Sequence, residues 1–160
     1  MERTHFYKAR ITWTGNTGAG TKNYASYSRD HTVSIQGKPD IHGSSDPAFR
    51  GDPGRYNPEE LLLSSLSACH MLWYLHLCAA AGITVLDYFD EAEGIMRENS
   101  EVGGRFTEVI LKPTVVIADR EKRGQAEDLH FKANQLCFIA RSVNFPVRHQ
   151  PNILAADNRH

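Results

Sequence analysis

A long apolar stretch, rich in Leu and Ala, runs from Leu61 to Leu86 and limits the possible folds more than any other feature of this sequence. Its length approaches that of a helix that spans a bilayer. It also carries polar side chains that a helix facing lipid would hold at a cost, among them Ser64, Ser65, Ser67, His70 and His76. Because predicted strands flank it closely on both sides, we interpret it as a buried helix of a soluble protein and expect no membrane contact.

The residues on either side of this stretch carry strong signals for a helix start and a helix end. Asn57 is a capping residue, and Pro58 suits the first helical position. Two acidic residues follow, where negative charge complements the helix dipole. A glycine, Gly82, is the expected stop. The sequence therefore predicts a helix that begins after Asn57 and ends at about Ala81.

The rest of the chain reads as short strands, turns and one further helix. Asp119 is placed to cap that helix, which we expect to end at about Cys137. The segment from Gly37 to Tyr56 is crowded with Gly, Pro, Ser and Asp and is predicted to be a long functional loop. The predicted strands share an imperfect alternation of apolar and polar residues and cover 5–14, 24–35, 85–96, 106–117 and 143–149.

The order of these elements indicates the fold class. It is ββ-α-ββ-α-β, which is α+β and not the regular alternation of a parallel doubly wound sheet. A chain of 160 residues fits one domain with a real core, so we expect a single domain over 1–160.

The composition excludes several classes of partner and gives no sign of export. The chain has 18 basic and 19 acidic residues, a formal net charge of -1 and no basic run, so we expect no nucleic-acid partner. The first residues are charged where a signal peptide needs an apolar stretch, which indicates a cytoplasmic protein. In that reducing compartment the three cysteines are expected to be thiols rather than a disulfide framework.

The next question is which cysteine does chemistry. Cys69 lies near the middle of the long helix, where a lone cysteine is most often only packed. Cys137, late in the chain, and the acidic pair that opens the long helix favour a chemical role. Cys78 is nine positions from Cys69, on the opposite helix face, and is expected to pack. His70 and His76 are six residues apart and cannot hold one metal ion from a straight helix, so we expect neither metal nor cofactor.

The run Asn57-Pro58-Glu59-Glu60-Leu61-Leu62, followed by Ser67-Ala68-Cys69, resembles the signature of the OsmC/Ohr family of peroxide-reducing proteins. A distal cysteine, here Cys137, completes the signature, and the likeness extends from about Ile11 to Val147. The resemblance implies an OsmC-like fold, with antiparallel sheets around a long central helix, and an intertwined homodimer. It also implies a thiol-dependent peroxidase with an organic hydroperoxide as substrate and a dithiol, such as a lipoyl group, as reductant.

The same resemblance implies roles for individual residues. Cys69 is similar to the cysteine that attacks the peroxide and becomes a sulfenic acid, and Cys137 to the one that then forms a disulfide with it. Glu59 matches a glutamate that holds an activating arginine. The organic hydroperoxide resistance branch carries that arginine in the Gly-rich turn after the first strand, where this sequence has none. The OsmC branch carries it in the loop before Asn-Pro-Glu, where we favour Arg50 over Arg55.

Two further expectations concern the long helix. Glu59 and Cys69 are ten residues apart, about 15 Å of rise in a straight helix. Two antiparallel copies would bring Glu59 of one subunit alongside Cys69 of the other, so we expect an obligate homodimer with shared active sites. Four apolar side chains flank Cys69 and are expected to be mostly core, with some lining a pocket for organic peroxides: Leu62, Leu66, Leu72 and Trp73.

Two other functions fit the same residues. A redox sensor or thiol-binding protein would keep the cysteine pair but turn over slowly. A catalytically silent member of the family would have a structural or ligand-binding role. Steady-state consumption of peroxide with a dithiol donor distinguishes both from an enzyme.

Overall fold

The computed structural model describes residues 2–156, which form short strands and two α-helices. The helices are α1, Pro58–Ala80, and α2, Arg123–Leu136. Single turns of 3-10 helix lie at Pro47–Phe49, Arg120–Lys122 and Ala140–Ser142. Within the described residues there are nine strands, numbered in chain order: β1 Arg10–Trp13, β2 His31–Ser34, β3 Ile41–Gly43, β4 Val85–Asp90, β5 Glu93–Asn99, β6 Gly103–Leu111, β7 Pro113–Ile117, β8 Val147–His149 and β9 Asn152–Ala155.

The order of the elements is βββ-α-ββββ-α-ββ. This confirms the α+β class, although the described residues form nine strands where the sequence predicted five. The chain divides into two compact units, the first ending at Leu62 and the second beginning at Leu63. The single domain over 1–160 stays a prediction.

The first unit contains one antiparallel sheet, in the order β1-β2-β3. Ile11 of β1 lies opposite Val33 of β2. The turn after β1 is tight because Gly15 lies against the backbone of Ser28: an added Cβ would come within 2.0 Å of the Ser28 carbonyl oxygen. The predicted loop 37–56 was expected to be irregular throughout, but it includes β3, which pairs with β2.

Arg29 explains why the strand predicted over 24–35 forms only from His31 onward. The Arg29 guanidinium lies over the rings of Tyr24 and Tyr27, 4.2 and 4.1 Å from their centroids. It also donates hydrogen bonds to the carbonyl oxygens of the same two residues, at 2.7 and 2.6 Å. These contacts hold the rings and the carbonyl groups of Tyr24 and Tyr27 in a local turn. The turn competes with an extended conformation that would pair with the sheet.

The second unit contains two three-stranded sheets, β4-β7-β9 and β5-β6-β8. The β4–β7 and β5–β6 pairs are antiparallel, as expected. The last two strands instead lie parallel to their neighbours, β8 beside β6 and β9 beside β7, so both sheets are mixed. The strand predicted over 143–149 forms only at β8, and β9 was not predicted.

Asp90 lies where the chain passes from one of these sheets to the other. Its carboxylate accepts hydrogen bonds from the Ser67 hydroxyl and the Lys112 backbone N–H, both at 2.6 Å. β4 ends at Asp90, and its partner β7 begins at Pro113, which has no N–H to donate. The two long strands predicted in this region are therefore each divided in two, because alternation of side chains does not reveal a change of sheet.

Helix α1 begins with a reciprocal pair of hydrogen bonds between Asn57 and Glu60. The Asn57 side-chain oxygen accepts from the Glu60 N–H at 2.8 Å, and a Glu60 carboxylate oxygen accepts from the Asn57 N–H at 3.1 Å. This is a capping box, with Pro58 in the first helical position. Beyond the other end, Gly82 adopts the left-handed conformation, with φ 68°. The predicted start and end of the helix are therefore confirmed.

Burial of α1 is confined to one stripe, in which Leu66, His70, Tyr74 and Cys78 recur every four residues. The prediction of a buried helix is wrong for the rest of its surface, because only 22% of its most apolar 18-residue stretch is buried. Among the described residues, α1 is the one helix long and apolar enough to cross a membrane, a property that helices in soluble cores share. A large apolar surface of α1 is therefore uncovered in the single chain.

The core of the second unit lies where α1 and α2 meet the β4-β7-β9 sheet. Two alanines of α2 contribute to it. The buried cluster consists of Tyr74, Cys78, Ile83, Val115, Ile117, Ala126, Ala133 and Ile153.

Candidate functional site

Cys69 and Cys137 meet in the second unit, where the end of α2 contacts α1. Cys69 is half-buried, whereas Cys137 is only 1% exposed. The side chains of the two cysteines interact with each other, and the N–H of Ala140 donates to the Cys137 sulfur at 3.4 Å. Both cysteines are free thiols. The two thiols therefore lie close together in the reduced protein.

The two thiols differ in their surroundings. Burial first, and then the hydrogen bond with Cys69, raise the pKa of Cys137 to about 11. Cys137 is therefore protonated at neutral pH and is a poor nucleophile until its proton is removed. Because Cys69 is half-exposed, it is the member of the pair that a solute can reach.

The end of α2 fixes the position of Cys137. Its N–H still donates to the Ala133 carbonyl at 2.9 Å, but its backbone is extended, with φ -64° and ψ 112°, so the helix stops there. The chain then turns back through a 3-10 turn, where the Ser142 hydroxyl donates to the Phe138 carbonyl at 2.7 Å. Hydrogen bonds thus hold the chain on both sides of the cysteine.

Aromatic and aliphatic side chains lie close to the pair along both helices. The rings of Trp73 and Phe138 are in edge contact, with their centroids 5.5 Å apart, and Phe138 is 65% exposed. The four residues expected to be mostly core differ in burial: Leu66 is buried, Leu62 and Trp73 are half-buried, and Leu72 is 63% exposed. Leu72 is therefore not part of the core that the described residues form.

The third cysteine and the two helical histidines have other surroundings. Cys78 is fully buried in the core cluster, and burial raises the pKa of its thiol. His70 is buried, whereas His76 is exposed with its ring against the edge of Trp73. Within residues 2–156, no group of three His, Cys, Asp or Glu side chains is arranged to hold a metal ion.

Three histidines lie together where α1, α2 and β8 pack. His70 Nε2 and His130 Nδ1 are hydrogen-bonded at 2.9 Å, with their rings only 6° from parallel. The Tyr74 ring stacks on His130 with 3.8 Å between centroids. The ring of His149 lies 5.8 Å from His70 and 6.2 Å from His130. His70 and His130 are 1% and 0% exposed.

Burial determines the charge of this cluster. It lowers the pKa of His70 to about 4 and that of His130 to about 3, with the neighbouring histidines adding to the effect. Burial also lowers the pKa of His149. The rings are therefore neutral at neutral pH. His70 Nδ1 and His130 Nε2 are buried with no hydrogen-bond partner among the described residues, which costs about 1–3 kcal/mol for each such group.

The sequence did not single out His130 and His149 as candidates. His130 precedes Cys137 by seven residues, or two helical turns, which places both on one face of α2. That spacing is a signal from which His130 could have been found. His149 has no comparable signal, because its position depends on the parallel pairing of β8 with β6.

The other three candidate residues belong to the first unit. Arg50 is exposed and follows a 3-10 turn in the left-handed conformation, with φ 64°. Arg55 is half-buried, and its Nε lies 3.7 Å from the Asp30 carboxylate and 3.4 Å from that of Asp52. Glu59 is half-buried in the first turn of α1, outside the capping box. The catalytic roles of Arg50 and Glu59 stay predictions.

Known proteins resemble the chain over most of its length. Residues 51–152 match the family model of the OsmC-like proteins. The uncharacterized protein YmaD of Bacillus subtilis is 27% identical over 147 residues, 89% of each chain. A Vibrio cholerae OsmC-like protein of unknown function is 34% identical, with a TM-score of 0.82 over 92% of this chain and 99% of the other. An organic hydroperoxide resistance protein of Elizabethkingia anophelis, 18% identical, has a TM-score of 0.69 over 98% and 100%.

The lowered pKa values of His70 and His130 predict that acid destabilises the fold. Histidines in an unfolded chain titrate near about 6.5. The stability that the neutral rings contribute is therefore complete above that pH and is lost as the pH falls towards about 4 for His70 and about 3 for His130. Each histidine that takes up a proton on unfolding lowers the free energy of unfolding by about 1.4 kcal/mol per pH unit. Urea titrations at several pH values measure this slope.

Two variants distinguish the contribution of these histidines to the slope from that of the carboxylates, which also titrate in acid. His130→Phe should reduce the slope by about one proton, because one buried base is removed. His42→Gln, at an exposed position of β3, should leave it unchanged. An equal slope in His130→Phe and the wild type would contradict the prediction.

Proposed function

Because the chain belongs to the OsmC-like family, we propose that it is a thiol-dependent peroxidase that reduces organic hydroperoxides. The observation that carries this proposal is the contact between the accessible thiol of Cys69 and the buried thiol of Cys137. The Elizabethkingia relative, named for resistance to organic hydroperoxides, supports the class of substrate.

The reaction divides into two oxidative steps that balance without a cofactor. The Cys69 thiolate attacks the terminal oxygen of the hydroperoxide; the O–O bond breaks, an S–O bond forms, and the departing alkoxide takes up a proton to become the alcohol. Cys137 then attacks the sulfenic acid, and its proton leaves with the hydroxyl group as water while an S–S bond forms. An external dithiol, of the lipoyl type, returns two electrons and two protons. The reducing cytoplasm, where such donors work, is the compartment that we propose.

The burial of the two thiols supports this division of roles. The first attack needs contact with a substrate from solution, which the half-exposed Cys69 allows. The second attack needs only Cys69, which interacts with the buried Cys137. The exposed Phe138 and Leu72 offer apolar surface nearby, which favours an organic hydroperoxide over hydrogen peroxide.

We propose Arg50, held by Glu59, as the cation that stabilises the Cys69 thiolate. A cation is required because Cys69 lies mid-helix, beyond the reach of the α1 dipole. Among the described residues of the first unit, Arg50 has no carboxylate partner, so its charge is available there. Arg55 is instead paired with two aspartates, which supports Arg50 over Arg55.

We also propose that a second copy of the chain covers the exposed surface of α1. That surface is apolar and largely unburied in the single chain, as expected of one half of a permanent homodimer interface. Glu59 and Cys69 lie on one uninterrupted helix, in which ten residues correspond to about 15 Å. Glu59 is therefore too far to act on Cys69 of its own chain, and a two-fold axis would bring it beside the partner subunit's Cys69.

Replacing each cysteine in turn tests the roles in the reaction. Cys69→Ser should abolish consumption of an alkyl hydroperoxide with dihydrolipoamide as donor, because the two cysteines that remain are buried. Cys137→Ser should still be oxidised once but should accumulate over-oxidised Cys69, since no thiol resolves the sulfenic acid. Cys78→Ala, at a buried position of the same helix, is the matched control and should retain most turnover.

Peroxide loss and the masses of the cysteine peptides measure these outcomes. Turnover by Cys69→Ser would contradict the mechanism, and loss of activity in a folded Cys78→Ala would contradict the assignment of the pair. A disulfide that forms in the wild type without steady-state turnover would instead indicate a redox sensor.

The arginine is tested by its effect on the first oxidation. Arg50→Ala should slow the reaction of Cys69 with hydroperoxide at neutral pH, because the protonated thiol is then favoured, with partial recovery at higher pH. Arg55→Ala should have a much smaller effect. The second-order rate constant, measured between about pH 6 and pH 9, gives both pH profiles. The reverse ranking of the two variants would assign the role to Arg55.

Complementation between inactive variants tests whether the site is shared. Glu59→Ala and Cys69→Ser homodimers are mixed under conditions that exchange subunits. If each site combines Glu59 of one chain with Cys69 of the other, one site of a mixed dimer inherits both lesions and the other inherits neither, so activity returns. If each site belongs to one chain, every site keeps a lesion. Absence of recovery, once mixed dimers are demonstrated by native mass spectrometry, would exclude the shared site.

A further inference from the structure

The hydrogen bond between His70 and His130 is a directional contact between the buried faces of α1 and α2. The remainder of that face of α2 includes Ala126 and Ala133, which are small and apolar. Packing of such residues is not directional and tolerates small shifts of one helix along the other. A hydrogen bond with a donor–acceptor distance of 2.9 Å does not tolerate such shifts, because it weakens steeply as its distance and angle change.

This contact is linked along both helices to the cysteine pair. His70 directly follows Cys69 on α1. His130 lies two turns before Cys137 on the same face of α2. The hydrogen bond therefore ties the backbone next to one cysteine to the helix that ends in the other. The ring of Tyr74, stacked on His130 at 3.8 Å, fixes the plane in which that bond is made.

We propose that His70 and His130 are positioning residues for the disulfide-forming step, an inference that rests on the function proposed above. They hold α2 at the register in which Cys137 meets Cys69. Neither histidine touches the peroxide. Their contribution is to the distance and angle between the two sulfur atoms.

The chemistry of that step makes it sensitive to register. A disulfide requires about 3.5–4.5 Å between the Cβ atoms and a dihedral angle near about 90°. Cys137 must approach along the S–O bond of the Cys69 sulfenic acid, which breaks as the S–S bond forms and water leaves. A displacement of α2 by about 1 Å is enough to slow such a reaction substantially. Cys137 takes no part in the first oxidation, so that step does not require the register that brings the two cysteines together.

The hydrogen bond between the two histidines satisfies only one nitrogen of each ring. Each ring leaves one buried nitrogen without a partner among the described residues, and an apolar pair of the same size would leave none. Buried polar groups without partners are uncommon in native proteins and call for a functional explanation. A directional bond that sets the register of the cysteines supplies one.

Three variants of His130 distinguish an effect on the register of α2 from an effect on its packing. His130→Phe keeps the ring volume and the stacking on Tyr74 but removes the hydrogen bond. His130→Asn places an amide near the position of Nδ1, the atom that bonds to His70. His130→Gln places the same amide near the position of Nε2, away from that bond, and is the matched control for His130→Asn.

Two rates are measured for each variant after mixing with an alkyl hydroperoxide. Formation of the Cys69 sulfenic acid is followed by dimedone trapping, and closure of the Cys69–Cys137 disulfide by mass spectrometry. His130→Phe and His130→Gln should close the disulfide about tenfold more slowly or worse, with formation of the sulfenic acid unchanged within about twofold. His130→Asn should recover most of the closure rate. His130→Phe should be no less stable to urea at pH 7.

Closure at the wild-type rate in His130→Phe would overturn the proposal, and so would equal slowing of both steps, which is the signature of general disruption. If His130→Phe does not fold, His70→Gln and His70→Leu repeat the comparison, because glutamine preserves a polar atom near Nε2 and leucine does not. Diamide drives closure of the same disulfide without a peroxide. A wild type that closes the disulfide with diamide but consumes no hydroperoxide would refute the proposed enzyme, while the closure rates of the variants would still decide the role of the histidines.

Discussion

The packing of α2 against the buried stripe of α1 is the contact on which the rest of the second unit depends. Tyr74 and His70 on α1 meet His130 on α2, and Ala133 of α2 is buried one turn later. The end of α2 then reaches the level of Cys69. From there the chain turns back and enters β8 and β9, which complete the two sheets. Core, cysteine pair and sheet edges therefore follow from one helix–helix register.

Helix α1 has an unusual division of its surface. It is apolar around most of its circumference, yet one stripe of four residues accounts for what the single chain buries completely. Burial of the remaining apolar surface would contribute about 25 cal/mol for each Å² removed from water. The homodimer proposed above would gain this contribution, and the half-exposed Cys69 lies on the same helix.

How well each feature could be predicted from the sequence depends on how far apart along the chain its interacting residues lie. The ends of α1 were predicted correctly because Asn57 and Gly82 act through hydrogen bonds and backbone conformation within one turn. The two long strands were not predicted correctly, because each is divided in two near Asp90. The hydrogen-bond partners of Asp90, Ser67 and Lys112, are 23 and 22 residues away. Local alternation of side chains carries no information about such distant bonds.

The candidate site shows the same contrast. Helical geometry alone assigned Cys78 to the packed side of α1, where the core cluster includes it. The partnership of Cys69 with Cys137 rested on the resemblance to a family, since no spacing relates residues on two helices. The histidine cluster was missed because His70, His130 and His149 meet only after α1, α2 and β8 have packed. Side chains that meet through tertiary register cannot be grouped from sequence separation.

The parallel pairing of the last two strands has a consequence for how the chain folds. β8 joins β6 and β9 joins β7 across 38 residues, from Val109 to Val147 and from Val115 to Ile153. Contacts of such long range form slowly, because the entropy of closing the loop is lost before any strand is paired. During synthesis the sheet of the first unit, built from neighbouring strands, can close early. The second unit must wait until Ala155 has left the ribosome, and for that interval the apolar length of α1 is a surface for chaperones to hold.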